Sequence, residues 1–265
     1  MIYDVFNFFN ELELLEVRLH ELDDFADRFV LVESTTTFQG NPKELVYEKN
    51  KGMFERWHNR IIHVVIDDSP PLIGESNWDT MSGTWAIEIF QFNAATRGLK
   101  ELKPNDVVMW SCADEIPKKS SVEKTQKSHP IMMMQYPCSG YLNCSYTGLG
   151  FWTGSRLLTG DQWMRSSNQY VDFRRVWLDQ QLADGGWHFC NIGGVERWKL
   201  KLQSFAHKEY NCDPILLTIK DKLEYCYNLY DPGTKTNYDL LPWEKLPRYI
   251  VENKEKFSHL LIPNP

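Results

Sequence analysis

The chain has 265 residues and a net charge of −7, a length suited to one large domain or a domain with a small annex. Its 42% hydrophobic and 14% aromatic content rules out a disordered chain. The acidic surplus, with no basic run, excludes an electrostatic nucleic-acid binder and disfavours an anionic membrane surface, while an anionic small molecule stays compatible if a local cation compensates it.

Ile2–Phe6 reads as a short strand. Asn10 can cap a helix with Glu13 answering three places on, and Leu12, Leu15, Leu19 and Leu22 then form one apolar stripe. Arg28–Glu33 and Arg60–Ile66 read as buried strands, with loop chemistry over Thr35–Pro42 and a long loop over Asp67–Gly83. Thr84 is placed to cap a helix whose Trp85, Ile89, Phe92, Leu99 and Leu102 face one way. Asp106–Ser111 is a third buried strand, running into Cys112-Ala113-Asp114-Glu115-Ile116-Pro117. Apolar strands alternating with helices predict an α/β fold: a mostly parallel nucleotide-binding sheet flanked by helices, up to about residue 120. Beyond Pro130, Ile131–Pro137 and Tyr141–Tyr146 read as a strand pair, Arg197–Ala206 and Ile215–Tyr225 as helices, and Pro242–Phe257 as holding one more short helix. The whole is a single domain over 1–265, its remainder (about 121–265) a mixed α+β acceptor half sharing one core.

Six cysteines stand at 112, 138, 144, 190, 212 and 226, with neither C-x-x-C nor zinc-like pairing. Packed, reduced thiols and a single Asn-x-Ser triplet at Asn143 suit a reducing compartment. No apolar run reaches the roughly 18 residues needed to span a bilayer. Asp4, Glu11, Glu13 and Glu16 stand where a secretory signal needs a basic start and an apolar stretch. The expected location is therefore cytoplasmic, without a transmembrane segment.

Four constellations can carry chemistry. Asp114-Glu115 follows an apolar strand directly, where ligands of open α/β sheets bind, and its hard oxygens suit Mg²⁺ or Mn²⁺ bridging a diphosphate; a solvated acidic turn is the alternative. In Asp184-Gly185-Gly186-Trp187-His188-Phe189 the glycines admit a close ligand, Trp187 offers a flat face to a sugar, and Asp184 and His188 can move protons. The same residues also read as a tight turn followed by a buried strand. Lys201, His207 and Lys208 lie on a helical stretch where His207 can ligate a metal or meet a phosphate, or simply form a solvated basic face. Glu33-Ser34-Thr35, at a strand end, can hydrogen-bond a base or ribose. P-loops, G-x-G-x-x-G and serine-nucleophile elbows are absent.

The run Tyr3-Asp4-Val5-Phe6, Phe9-Asn10-Glu11-Leu12, Leu15-Glu16-Val17-Arg18-Leu19, Asp27 to Thr35 and Thr37 to Lys43 resembles glycosyltransferase family 17. So do the later Asp114-Glu115-Ile116-Pro117, Gly186-Trp187-His188-Phe189, Gly193-Gly194, Lys201 to His207 and Leu246-Pro247-Arg248-Tyr249-Ile250, in order over nearly the whole chain. The resemblance implies a GT-A-like fold and an inverting transfer, in β linkage, of a sugar, N-acetylglucosamine by the family. The donor is a nucleotide diphosphate, expected to be a UDP-sugar, and the acceptor a glycan or glycoprotein hydroxyl. It also implies a divalent metal, Mn²⁺ or Mg²⁺, at the Asp-Glu-Ile-Pro segment. There the usual first carboxylate falls on Cys112, a poor ligand for such ions, and an arginine of the preceding helix falls on Phe92. The site expected on these grounds has Asp184 as general base with Glu115 as its rival, Asp114 and His207 at the metal, and Glu33, Lys43, Trp187, His188 and Lys201 around the donor. A carbohydrate-binding protein without catalysis, a transferase of another sugar such as a hexose or xylose, and a two-carboxylate glycoside hydrolase are the alternatives; the resemblance disfavours the last.

Overall fold

The computed structural model describes residues 1–125, 129–145, 150–224, 230 and 238–262. The ends of two expected elements, Tyr146 and Tyr225, and the sixth cysteine, Cys226, lie outside them. Ten strands form one mixed sheet among the described residues: β1 Ile2–Phe8, β2 Arg28–Ser34, β3 Ile61–Ile66, β4 Val107–Cys112, β5 Glu115–Pro117, β6 Ile131–Ser139, β7 Cys144–Ser145, β8 Arg156–Thr159, β9 Gln180–Cys190 and β10 Asp239–Leu240. The order is β10-β7-β6-β8-β4-β1-β2-β3, with β9 joined to β6 and β5 to β9. The long ladders β1–β2, β2–β3, β1–β4 and β6–β9 are parallel. Antiparallel β8 welds the second half onto β4, so the two halves share a sheet as well as a core.

Alternation along the strands sends side chains to both faces. On one face Phe6, Phe8, Phe29, Leu31 and Met109 pack under Leu12, Leu15, Leu19 and Leu22, the stripe of the N-terminal helix Leu12–Glu21. On the other, Val5, Val30, Val108 and Trp110 pack under Ile89, Phe92, Leu99 and Leu102. Trp85 does not join this group; it packs edge-on to Trp78 and His207.

Both expected caps are corrected. The first helix begins after Glu11, whose carboxylate accepts from the backbone N–H of Phe9 and Asn10, and Glu13 reaches Arg197 instead of closing a capping box. The helix Thr84–Asn93 follows Gly83, at φ 64°, and the Thr84 hydroxyl donates 2.6 Å to the Ala206 carbonyl. The helix expected over Arg197–Ala206 runs from Gly194 to Leu202, and the next splits into Asp213–Leu216 and Ile219–Glu224. No strand is read from the sequence at β8, and β9 is read only in part, as the alternative of a buried strand after a tight turn. β9 bulges where Met133 pairs with Leu182 but Gln135 already pairs with Gly186, and at the bulge Asp184 takes φ 52°.

Candidate active site

In the parallel part of the sheet the strand order reverses between β1 and β4, which opens a crevice at their carboxyl ends. A cavity lies there, walled by Asn7, Phe8 and Phe9 after β1, Val32, Ser34 and Thr36 after β2, and Cys112 and Asp114 after β4; Phe38, Lys43, Gln91, Lys201 and Phe205 close it. Its lining offers aromatic walls, hydroxyl and amide hydrogen-bonding groups, and two lysines.

Asp114 and Glu115 are neighbours with opposite surroundings. Glu115 is fully buried and locked: Arg174 donates from Nη2 to Oε1 (2.8 Å) and from Nη1 to Oε2 (3.0 Å), Trp152 Nε1 donates to Oε1 (2.8 Å), and the Cys112 N–H donates to Oε2 (2.9 Å). Burial works against its charge, but Arg174 outweighs burial and holds the carboxyl well below the usual range. Every strong position on Glu115 is thus taken by protein. Asp114 instead lines the cavity, with Lys201 Nζ 3.2 Å and His188 Nε2 3.7 Å from its Oδ2.

Strand alternation in β9 explains the second motif. Trp187 and Phe189 turn into the core, and Trp187 Nε1 donates 2.6 Å to the Lys245 carbonyl. Trp187 is 2% exposed, so its ring presents no face to a sugar. His188 and Cys190 project the other way, toward Asp114. Burial opposes a charge on His188, yet its hydrogen bond with Cys190 and the Asp114 carboxylate raise its pKa. Burial likewise pushes the Cys190 thiol up, while Lys201, 3.4 Å away, and His188 bring it below its ordinary value. Lys201 is desolvated too, but Cys190 and Asp114 hold it firmly protonated.

The remaining expected residues lie apart from this cluster. Asp184 lines neither this cavity nor its neighbour: its Oδ2 meets Lys118 Nζ at 2.5 Å, its carbonyl accepts from Ser121, and its Oδ1 is buried without a hydrogen bond among the described residues. Glu33 turns away from the cavity that Val32 and Ser34 line, accepting from the Tyr47 N–H and facing His63, with Lys43 at 3.6 Å. His207 pairs with Glu209 and lines the neighbouring cleft, so it does not stand with Asp114. Sequence reasoning missed Arg174 and Arg18. Arg18 is fully buried, binds Asp4 through two nitrogens (2.6 and 2.7 Å) and donates to the carbonyls of Cys112 (2.8 Å) and Glu115 (3.0 Å), so it fixes the turn that carries Asp114. The Arg174 guanidinium lies 4.6 Å over the Phe92 ring, so a positive charge reaches the side of that helix position from another segment. A conspicuous pair, Asp4 and Arg18 in otherwise apolar stretches, was the available signal for one of these; nothing local marks Arg174.

Asp114, His188 and Cys190 form a group of metal-binding type, their ligand atoms within 4.8 Å of one another. It offers one oxygen, one nitrogen and one sulfur, a set unlike the oxygen shells of Mg²⁺ or Mn²⁺. Cys112 is held as a neutral thiol by burial and by the Glu115 charge, Glu115 is spent on Arg174, and the Lys201 ammonium already gives Asp114 a cation. The residues present therefore do not make a built site for Mn²⁺ or Mg²⁺.

A family model described as glycosyltransferase family 17 matches residues 1–221. The β-1,4-mannosyl-glycoprotein 4-β-N-acetylglucosaminyltransferases of Rattus norvegicus and Homo sapiens are each 32% identical to this chain over 123 residues, 46% of this chain and 22% of theirs. The aligned part is thus about a fifth of those relatives' length. The apo-form glycosyltransferase GlyE of Streptococcus pneumoniae TIGR4 aligns over 99% of this chain and 64% of its own with a TM-score of 0.32 and 12% identity. No helix among the described residues is long and apolar enough to cross a membrane. With its model matched along most of the length, the chain belongs to glycosyltransferase family 17.

Proposed function

We propose that the chain transfers N-acetylglucosamine from a nucleotide diphosphate donor, UDP-N-acetylglucosamine, to a glycan hydroxyl, with inversion to a β linkage on a GT-A-like fold. The observation that carries this reading is the Asp114–Lys201 pair at the floor of the crevice between β1 and β4. Family membership supports the sugar, because the related enzymes are named for that transfer. Phe8, Phe38 and Phe205 give a planar base apolar walls, and Ser34, Thr36 and Gln91 supply hydrogen bonds.

In this reading the diphosphate lies against Lys201, with Lys43 at the far wall. Breaking the bond from the anomeric carbon to phosphate oxygen puts charge on the leaving group, and a fixed ammonium stabilises that charge best in a desolvated place. Asp114 and Cys190 hold the Lys201 amine where it is needed. No step requires a metal. Incubation with UDP-N-acetylglucosamine and a mannose-containing glycopeptide, with and without Mn²⁺, tests the reading. Transfer, or slow donor hydrolysis, at similar rates in both is expected. Binding of glycans without turnover of any nucleotide sugar would refute it.

A further inference from the structure

A second cleft opens beside the first and is lined by Trp78, Trp85, Trp152, Trp177, Glu88 and Arg175 among others. Three of its tryptophans are unusually bare for so large a ring: Trp78 is 42%, Trp152 40% and Trp177 67% exposed. Trp152 is anchored by Glu115 and His188, and Trp78 by Trp85 and Arg175, but the Trp177 ring is left mostly to water, and the flat, weakly polar faces of pyranoses stack on such rings. The two cavities share walls. Cys112 of the first accepts from Arg174 of the second (3.3 Å), and Trp152 of the second stacks at 4.2 Å on His188, which faces Asp114 of the first. A group bound in one therefore lies next to a group bound in the other.

We propose that this tryptophan-lined cleft receives the carbohydrate acceptor and that Glu88, within it, is the general base of the transfer. The inference rests on the donor reading given above. Glu88 sits on the helix Thr84–Asn93, one turn before Gln91 of the donor cavity, so one helix face serves both clefts. The Tyr170 hydroxyl donates 2.7 Å to Glu88 Oε1, which fixes the carboxylate; Oε2 has no partner among the described residues. Burial raises the Glu88 pKa against the lowering influence of Tyr170, Arg174 and His207, and Glu115 adds to the rise. A carboxylate made more basic suits proton abstraction. In the step, the acceptor O–H gives its proton to Glu88 Oε2, and the oxygen forms a bond to the anomeric carbon. The bond from that carbon to the phosphate oxygen breaks, its electron pair leaving with the nucleoside diphosphate, and Glu88 later returns the proton to water.

The test uses the whole chain, UDP-N-acetylglucosamine and a panel of β-mannoside and N-glycan-core glycopeptide acceptors. Glu88→Gln should keep the donor-induced thermal shift of the wild type while kcat for transfer falls about 10²–10⁴-fold. Trp177→Ala, at a ring too exposed to hold the fold, should raise the acceptor KM about 3–10-fold with donor binding unchanged; it decides the matter if Glu88→Gln does not fold. Near-normal kcat in Glu88→Gln, an unmoved acceptor KM in Trp177→Ala, or loss of turnover in Asp184→Asn instead of Glu88→Gln would overturn the proposal. Absence of any donor shift in the wild type would instead refute the donor reading beneath it, and the acceptor assignment with it.

Discussion

Asp114 and Glu115 show how one position along a chain separates a cavity-facing group from a scaffold. Glu115 and Arg174 are both withdrawn from water, so each depends on the other; removing one charge of a buried pair costs about 3–5 kcal/mol. Glu115→Gln should therefore lose about that much stability at neutral pH. Because the folded pKa of Glu115 is depressed, its contribution is full above the unfolded value, near 4.3, and is lost as the pH falls. Urea unfolding at pH 7 and pH 3 should show the gap between wild type and Glu115→Gln narrowing on acidification; a constant gap would make the effect one of packing. Lys201→Met removes the ammonium that meets Asp114 and Cys190, and should cost about 10²–10³-fold in kcat. Full activity in that variant would require another cation at the diphosphate. That Asp114 faces the crevice was legible in the sequence, because a carboxylate directly after an apolar strand has few places to go but there. The role of Glu115 was not, because Arg174 lies 59 residues onward and no local pattern links them.

At the scale of elements, the strands and helices of the first 120 residues were readable because each carries its own period: β2 and β4 as continuous apolar runs, the first helix as a leucine stripe. β9 was not, since Ala-Asp-Gly-Gly reads as a turn and is instead a bulge inside a strand. That bulge has a mechanical purpose. It brings β9 alongside β5, with Glu115 opposite His188 and Pro117 opposite Gly186, and so sets His188 against Asp114. Gly186 has φ 134°, and a Cβ there would lie 2.0 Å from the Ile116 carbonyl oxygen. Gly186→Ala should consequently separate β5 from β9 at a cost of about 3–4 kcal/mol and lower transfer even where the protein still folds. Wild-type stability in a denaturant titration of that variant would mean the β5–β9 pairing tolerates a side chain. The caps failed for a related reason: Asn10 and Thr84 have the right chemistry, but the cap position of the first helix falls on Glu11, and the Thr84 hydroxyl is committed to the Ala206 carbonyl.

For the molecule as a whole, the division near residue 120 marks a change of pattern and not a boundary of stability. β4 is hydrogen-bonded to β1 on one side and to β8 on the other, β8 to β6, and β6 to β9, so a continuous ladder crosses the division. Arg18 adds a charged tie from the first helix to the turn before β5, and Arg174 another from beyond β8 to Glu115. Neither half can lose its sheet without exposing the hydrogen-bonding edge and apolar face of the other. The two halves should therefore unfold together, with near-ultraviolet, far-ultraviolet and calorimetric midpoints coinciding. A donor bound as proposed, between residues after β1, β2 and β4 and Lys201 of the second half, should raise all of these midpoints equally. At a concentration about 100 times Kd the gain is about 2.7 kcal/mol, or about 5–10 °C for a chain of this size. A calorimetric trace with two transitions, only one of them shifted by UDP-N-acetylglucosamine, would show that the sheet does not couple the halves and that the donor contacts one of them alone.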